Sequence, residues 1–173
     1  MEVRPIYLFA AAFGSESTGH DAAYDLLACA LLRAWGWNRT PPLRRNASGK
    51  PSFLDRPDRY FNLSHTAGLC LCALSDSGPV GVDIERVRPR RPALPRYVMS
   101  PNELQCFDGS WEDFARIWTL KEAFVKLQGT SIFPPDLVPV PPPVPYRSYA
   151  GPGWRAALCA EADCLPDIQW VEL

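Results

Sequence analysis

The spacing of apolar residues changes period several times along the chain. Val3 and then Ile6 to Phe13 form a nearly unbroken apolar run ended by Gly14, which predicts a buried strand over 3–13. From Asp21, read as an N-cap, to about Trp35, Ala23, Leu26, Leu27, Ala30, Leu31 and Ala34 recur at helical spacing and predict a helix. Residues 40–50 form a connector containing Pro, Arg and Gly. Short apolar runs predict strands at 61–63 and 69–74, and Ser75-Asp76-Ser77-Gly78-Pro79 is a turn. That turn predicts 80–87 as the returning strand of a hairpin.

Beyond a basic, proline-broken stretch at 88–95, Ser100-Pro101-Asn102-Glu103 starts a helix with a capping Ser, a Pro in the first turn and Glu at the capping-box position. A long helix is predicted over 111–128, stopped by Gly129. Seven prolines then fall within 134–145, an extended stretch that reads as a covering loop. Residues 154–160 and 168–171 read as a final pair of strands. Helix, strand, turn and strand thus occur twice. The repeat predicts an α+β fold of two similar α/β lobes, 1–80 and 81–173, related by a pseudo-two-fold axis with a site between them.

Composition narrows the class. The 173 residues are 47% hydrophobic and 12% aromatic, enough for a real core, and the net charge of −1 argues against nucleic acid as a partner. No apolar run is long enough to span a bilayer, and Met1-Glu2-Val3-Arg4 lacks the opening of a signal peptide, so a soluble cytoplasmic protein is expected. The average hides an asymmetry: residues 33–96 hold 12 of the 18 basic residues and only five carboxylates. A basic middle suits a phosphate-rich ligand or an acidic partner, although a solvated Arg-rich surface has the same charge. Of the six cysteines, Cys70 and Cys72 share one strand face, and Cys159 and Cys164 form no CxxC. Structural thiols are expected rather than disulfides or a zinc site.

Three segments carry chemistry. In Val80-Gly81-Val82-Asp83-Ile84-Glu85, strand alternation sends Val82 and Ile84 to one face and both carboxylates to the other. Their Cα atoms are then about 6.5 Å apart, close enough to share one hard cation. The alternative is an acidic strand face paired with Arg86. Trp118, Glu122 and Lys126 are spaced four apart on one face of the second long helix. Glu122 adds a third oxygen ligand, half of an octahedral Mg2+ shell, and Lys126 a cation for a phosphate; a plain Glu–Lys surface pair is the alternative. In Phe61-Asn62-Leu63-Ser64-His65-Thr66, a His between two hydroxyls makes a donor cluster suited to phosphate. Ser64 and His65 are poorly placed as a nucleophilic dyad, because neighbours on a strand point apart. Gly49-Lys50-Pro51 adds a cation on a constrained loop without P-loop spacing.

Gly49-Lys50-Pro51, Phe61-Asn62-Leu63-Ser64-His65, Gly81-Val82-Asp83-Ile84-Glu85 and Trp118-Thr119-Leu120-Lys121-Glu122-Ala123 with Lys126, in this order, closely resemble the 4'-phosphopantetheinyl transferase superfamily, of the monomeric type that activates surfactin synthetase. The resemblance implies two similar α/β lobes with the site at their junction. It implies transfer of the phosphopantetheine arm of coenzyme A to a serine of an acyl or peptidyl carrier protein, releasing 3',5'-ADP. Asp83, Glu85 and Glu122 are then the Mg2+ ligands. Lys50, Ser64 and His65 contact coenzyme A, with His65 on the 3'-phosphate, and Lys126 contacts the pyrophosphate. The catalytic set is Asp83, Glu122 and Lys126, with Glu122 or a metal-bound water beside it as the base. The amino-terminal part is shorter than in well-known members and has Gly19-His20-Asp21 where they carry basic residues, so either a lower affinity for coenzyme A or substitution by Arg44 and Arg45 is expected. A monomer is expected, with no nucleic acid and no membrane as partner. Two other functions share these features: a carrier-docking module without turnover, and a Mg2+-dependent pyrophosphate hydrolase.

Overall fold

A computed structural model of the chain describes residues 5–162 and 164–173. Strand β1 (Ile6–Ala12) forms from the first apolar run, and the expected start at Val3 lies outside the described residues. Helix α1 (Gly19–Trp35) is capped by Thr18, not Asp21. The Thr18 hydroxyl accepts from the Asp21 N–H and donates to its carboxylate, so Asp21 sits in the first turn against the positive end of the helix. The connector that follows contains a small hairpin, β2 (Leu43–Arg45) and β3 (Pro51–Phe53). It is anchored by buried Phe53, which packs against Trp35, Trp37 and Phe61.

Strands β4 (Tyr60–Thr66) and β5 (Leu69–Ser75) pair antiparallel along their full length, which makes β4 longer than expected. Every residue of β5 is buried. Cys70, Cys72 and Leu74 join the α1 core, while Leu69, Leu71 and Ala73 join a second apolar cluster on the other face. All six cysteines are free thiols; Cys70, Cys72 and Cys159 are buried as core residues, whereas Cys106 and Cys164 are exposed.

Strand β6 (Val80–Arg86) does not return beside β5. Both edges of β5 are already occupied, by β4 and β1, so no ladder is left for it. Instead β6 pairs antiparallel with β8 (Trp154–Ala160), whose other neighbour is β7 (Tyr146–Gly151). The expected pairing of 154–160 with 168–171 is also absent. Strand β9 (Gln169–Trp170) joins the first sheet, parallel to β1, giving the order β4-β5-β1-β9 there and β6-β8-β7 in the second. The β7–β8 hairpin escapes sequence reading because β7 is exposed and half-exposed by turns and carries no apolar alternation.

Between β6 and β7 lie α2 (Leu94–Val98), α3 (Pro101–Cys106) with the expected Ser100–Glu103 capping box, and α4 (Trp111–Gln128). Helix α4 has the expected limits, with Ser110 as cap and Gly129 at a φ of 67° closing it. The proline-rich segment crosses α4, where Val138, Val140 and Val144 pack on Leu120, Ala123, Phe124 and Leu127. The α+β class is as expected. Among the described residues no helix is long and apolar enough to cross a membrane.

The sheets meet along an unusual seam. The amides of Val82, Ile84 and Arg86, on the edge of β6 away from β8, donate to Asn62 Oδ1, Ser64 Oγ and Thr66 Oγ1 of β4. Alternate residues of β4 share a face, so three polar side chains satisfy an edge that a backbone ladder ordinarily covers.

Candidate active site

Gly81 brings α4 onto β6. A Cβ built there stands 1.9 Å from the carbonyl oxygen of Ala123 and 2.4 Å from the amide of Leu127, so only glycine lets the helix backbone rest on the strand. Asp83 and Glu85 follow on the same strand face, and Val82 and Ile84 are buried in the apolar cluster behind, as the alternation predicts. Glu122 and Lys126 flank the contact on α4. The result is a polar cleft of about 330 Å3 lined by Ser64, His65, Asp83, Glu85, Glu122 and Lys126, with Leu63 and Trp118.

Lys126 Nζ lies 2.7 Å from Asp83 Oδ1, which also accepts from Ser64 Oγ at 2.8 Å. Ser64 Oγ in turn accepts from the Ile84 amide and from Lys126 Nζ, each at 3.3 Å. Its one donor and both acceptor positions are used, so the hydroxyl is committed to holding the strand, the carboxylate and the lysine together. Glu85 pairs with Arg90 at 3.1 Å. Arg86, the partner considered from sequence, donates instead to the Ala67 carbonyl.

Burial, and then the Asp83 charge, push the Glu122 carboxyl up to about 7, with Lys126 opposing. Glu85 is raised for the same two reasons, with Arg90 opposing. His65 is lowered, first by burial and then by the charges of His20 and Lys126. Its ring lies against the start of α1, where a Cβ on Gly19 would stand 2.4 Å from Nδ1.

Among the described residues no three His, Cys, Asp or Glu side chains stand ready-grouped around a metal position. Asp83 leans on Lys126 and Glu85 on Arg90. The donor set nevertheless fits a divalent ion. Asp83 Oδ2 is buried without a hydrogen-bond partner, and Glu85 and Glu122 line the same cleft with carboxyls whose pKa the Asp83 charge helps to raise. A hard cation relieves that repulsion, and an all-oxygen set suits Mg2+.

Lys50 is not brought into this cleft. Its ammonium donates to the carbonyls of Val80, Lys126 and Leu127, at the C-terminal end of α4. Asn46 and Ser48 of the same loop donate to the Gly129 carbonyl. A flexible cation is drawn to the negative end of a helix, and two carbonyls there and one of β6 take its donors. Arg44 and Arg45 also lie outside the cleft, bonded to Ser52 and to Gly49 and Tyr24. Sequence reading missed Ser64 as the hub of the seam and Arg90 as the partner of Glu85. The alternation of Asn62, Ser64 and Thr66 along β4 was the available signal for the first; for Arg90, only its place in the basic stretch was.

Fold and cleft together describe an α+β protein in which three carboxylates and one lysine line a single polar cleft. Residues 79–150, which contain β6 and α4, match the family model of the 4'-phosphopantetheinyl transferase superfamily. The chain is 28% identical over 141 residues to the 4'-phosphopantetheinyl transferase Sfp of Bacillus subtilis, covering 69% of this chain and 62% of that protein. It is 41% identical over 98 residues to the 4'-phosphopantetheinyl transferase AcpT of Escherichia coli K12, covering 53% of this chain and 50% of that one. AcpT of Salmonella typhi is 37% identical over 112 residues, covering 61% and 58%. The stretch that holds β6 and α4 is thus similar to 4'-phosphopantetheinyl transferases. The chain spans about half to three fifths of the length of these three relatives.

Proposed function

We propose that this protein moves the 4'-phosphopantetheine arm of coenzyme A onto a serine of an apo acyl or peptidyl carrier protein and releases 3',5'-ADP. The observation that carries the reading is the cleft in which Asp83, Glu85, Glu122 and Lys126 converge, inside the segment that matches the family. Asp83, Glu85 and Glu122 hold Mg2+. When bound, the ion supplies Lewis-acid stabilisation of charge on the phosphoryl oxygens. Lys126 turns from Asp83 to the pyrophosphate and offsets the charge that develops on the bridging oxygen as the serine Oγ–P bond forms and the bond to the leaving 3',5'-ADP breaks. Glu122, or a water beside it, takes the serine proton. Ser64 fixes Asp83, and His65, at the N-terminal end of α1, meets the 3'-phosphate.

The reading includes two similar lobes, 1–80 and 81–173, related by a pseudo-two-fold axis with the site at their junction. Its support is topological: in each sheet, the strand preceding the long helix lies beside the second strand of a later hairpin. One chain supplies every group of the cleft, which supports a monomer. The arginines at 86, 88, 90 and 91 follow the metal-binding strand directly and suit an acidic carrier.

The test is intact-mass analysis of apo carriers incubated with the protein, coenzyme A and Mg2+, with and without chelator. Gain of one phosphopantetheine arm, lost with chelator, is expected. No gain on any acyl or peptidyl carrier overturns the transferase, in favour of a docking module if coenzyme A stays intact and of a hydrolase if it is split.

A further inference from the structure

The two sheets share no backbone ladder, yet they are joined at both pairs of edges. One joint is the seam between β4 and β6. The opposite edges are β7 in one sheet and β1 with its short partner β9 in the other, and residues 164–171 tie them together. Arg147 of β7 donates to the Leu165 carbonyl at 2.8 Å and pairs with Asp167, while the Tyr149 hydroxyl donates to the Pro166 carbonyl. Directly afterwards Gln169 and Trp170 lie parallel to β1, and the Val171 amide donates to the Ala10 carbonyl. The Trp170 ring meets Trp154 of β8 edge-on.

Strap and seam close the strands into a ring around one apolar core. Leu8, Ala10 and Leu71 of the first sheet pack there with Val82, Ile84 and Leu158 of the second, all fully buried. Such a core resists compression, but two packed sheets can still twist over one another. With both joints made, a twist must break bonds at both edges. With the strap released, three side-chain bonds of the seam resist it alone. The ties to β7 are polar and superficial, the Asp167 side chain being 86% exposed. The cleft lies at the seam: Ser64 and His65 stand on β4, and Asp83 and Glu85 on β6.

We propose that the strap steadies the cleft from the far side of the molecule. Arg147 and Tyr149 are positioning residues: by tying β7 to the segment laid on β1, they hold the β4–β6 seam at one width. The effect on ligands rests on the transferase reading. Coenzyme A reaches from His65 on one sheet to Lys126 on the helix that rests on the other, and so feels the seam. Mg2+, held by β6 and α4, does not.

Amide hydrogen exchange in the double variant Arg147→Ala with Tyr149→Phe tests this, because both changes cut ties to β7 and leave β9 on β1. The amides of Val82, Ile84 and Arg86, which the seam holds, are expected to exchange about tenfold faster relative to the amides of β5, which lies between two full ladders. A general loss of stability moves both sets together. Arg147→Lys keeps a cation for Asp167 and the Leu165 carbonyl and is expected to keep the wild-type ratio. By titration calorimetry the double variant should bind coenzyme A about fivefold more weakly and Mg2+ within about twofold of the wild type. An unchanged exchange ratio overturns the proposal whatever the ligands do. Faster seam exchange with unaltered coenzyme A affinity overturns the effect on the cleft. A wild-type protein that binds no coenzyme A overturns the transferase reading, and the exchange ratio still decides the strap.

Discussion

Lys126 Nζ and Asp83 Oδ1, 2.7 Å apart, form an ion pair inside the cleft whose two members have different destinations in the proposed reaction. The carboxylate goes to the cation and the ammonium to the phosphate. The pair keeps a buried carboxylate compensated until both ligands arrive. Lys126→Ala is expected to lower the transfer rate by about 10²–10³-fold, measured by carrier mass gain against time. It also leaves Asp83 without its partner, so Mg2+ should raise the melting temperature of the variant more than that of the wild type.

Glu122 gives a pH dependence. Its folded value of about 7 exceeds the ordinary 4.5, so the folded protein holds this proton more tightly than the unfolded chain does. The stability it contributes is fully present below about pH 4.5 and is lost as pH rises through 7. Without Mg2+, Glu122→Gln should match the wild type at pH 4 and exceed it by about 1–2 kcal/mol at pH 8, after allowance for solvent screening. Mg2+ displaces the same proton, so its affinity for the wild type should climb between pH 6 and 8. Titration calorimetry at the two pH values measures this.

Gly81→Ala forces a methyl group into the backbone of α4. A loss of about 3 kcal/mol in chemical denaturation is expected, because a helix backbone, unlike a side chain, has no other rotamer to adopt. Partial folding with lost Mg2+ binding is the accompanying expectation, since Glu122 rides on the displaced helix.

Lys50→Met separates a latch from a ligand contact. The bonds to Val80, Lys126 and Leu127 predict a loss of about 1–2 kcal/mol of stability, with the KM for coenzyme A unchanged. A tenfold rise in that KM at unaltered stability would return Lys50 to the ligand.

Local geometry was legible in the sequence where one residue sufficed to set it. Gly129 ends α4, Ser100 and Glu103 cap α3, and the period of two in β6 puts Asp83 and Glu85 together. Pairing was not legible, because the same alternation suits any partner strand. Nothing in Val80–Arg86 tells that β5 has both edges filled, or that 169–170 will cross to β1. The fate of Lys50 was hidden for a related reason. A loop cation reads as available until a helix end, far away in sequence, claims it.

The seam between β4 and β6 has one further consequence. A backbone ladder spaces two strands identically whatever their side chains. Here the gap is bridged by Asn62, Ser64 and Thr66, so the distance from His65 to Asp83 is set by the lengths of three side chains. The aperture between β4 and β6 is therefore a heritable dimension. A single substitution such as Ser64→Asn resets it and, through the bonds of Ser64 to Asp83 and Lys126, reshapes the cleft as well.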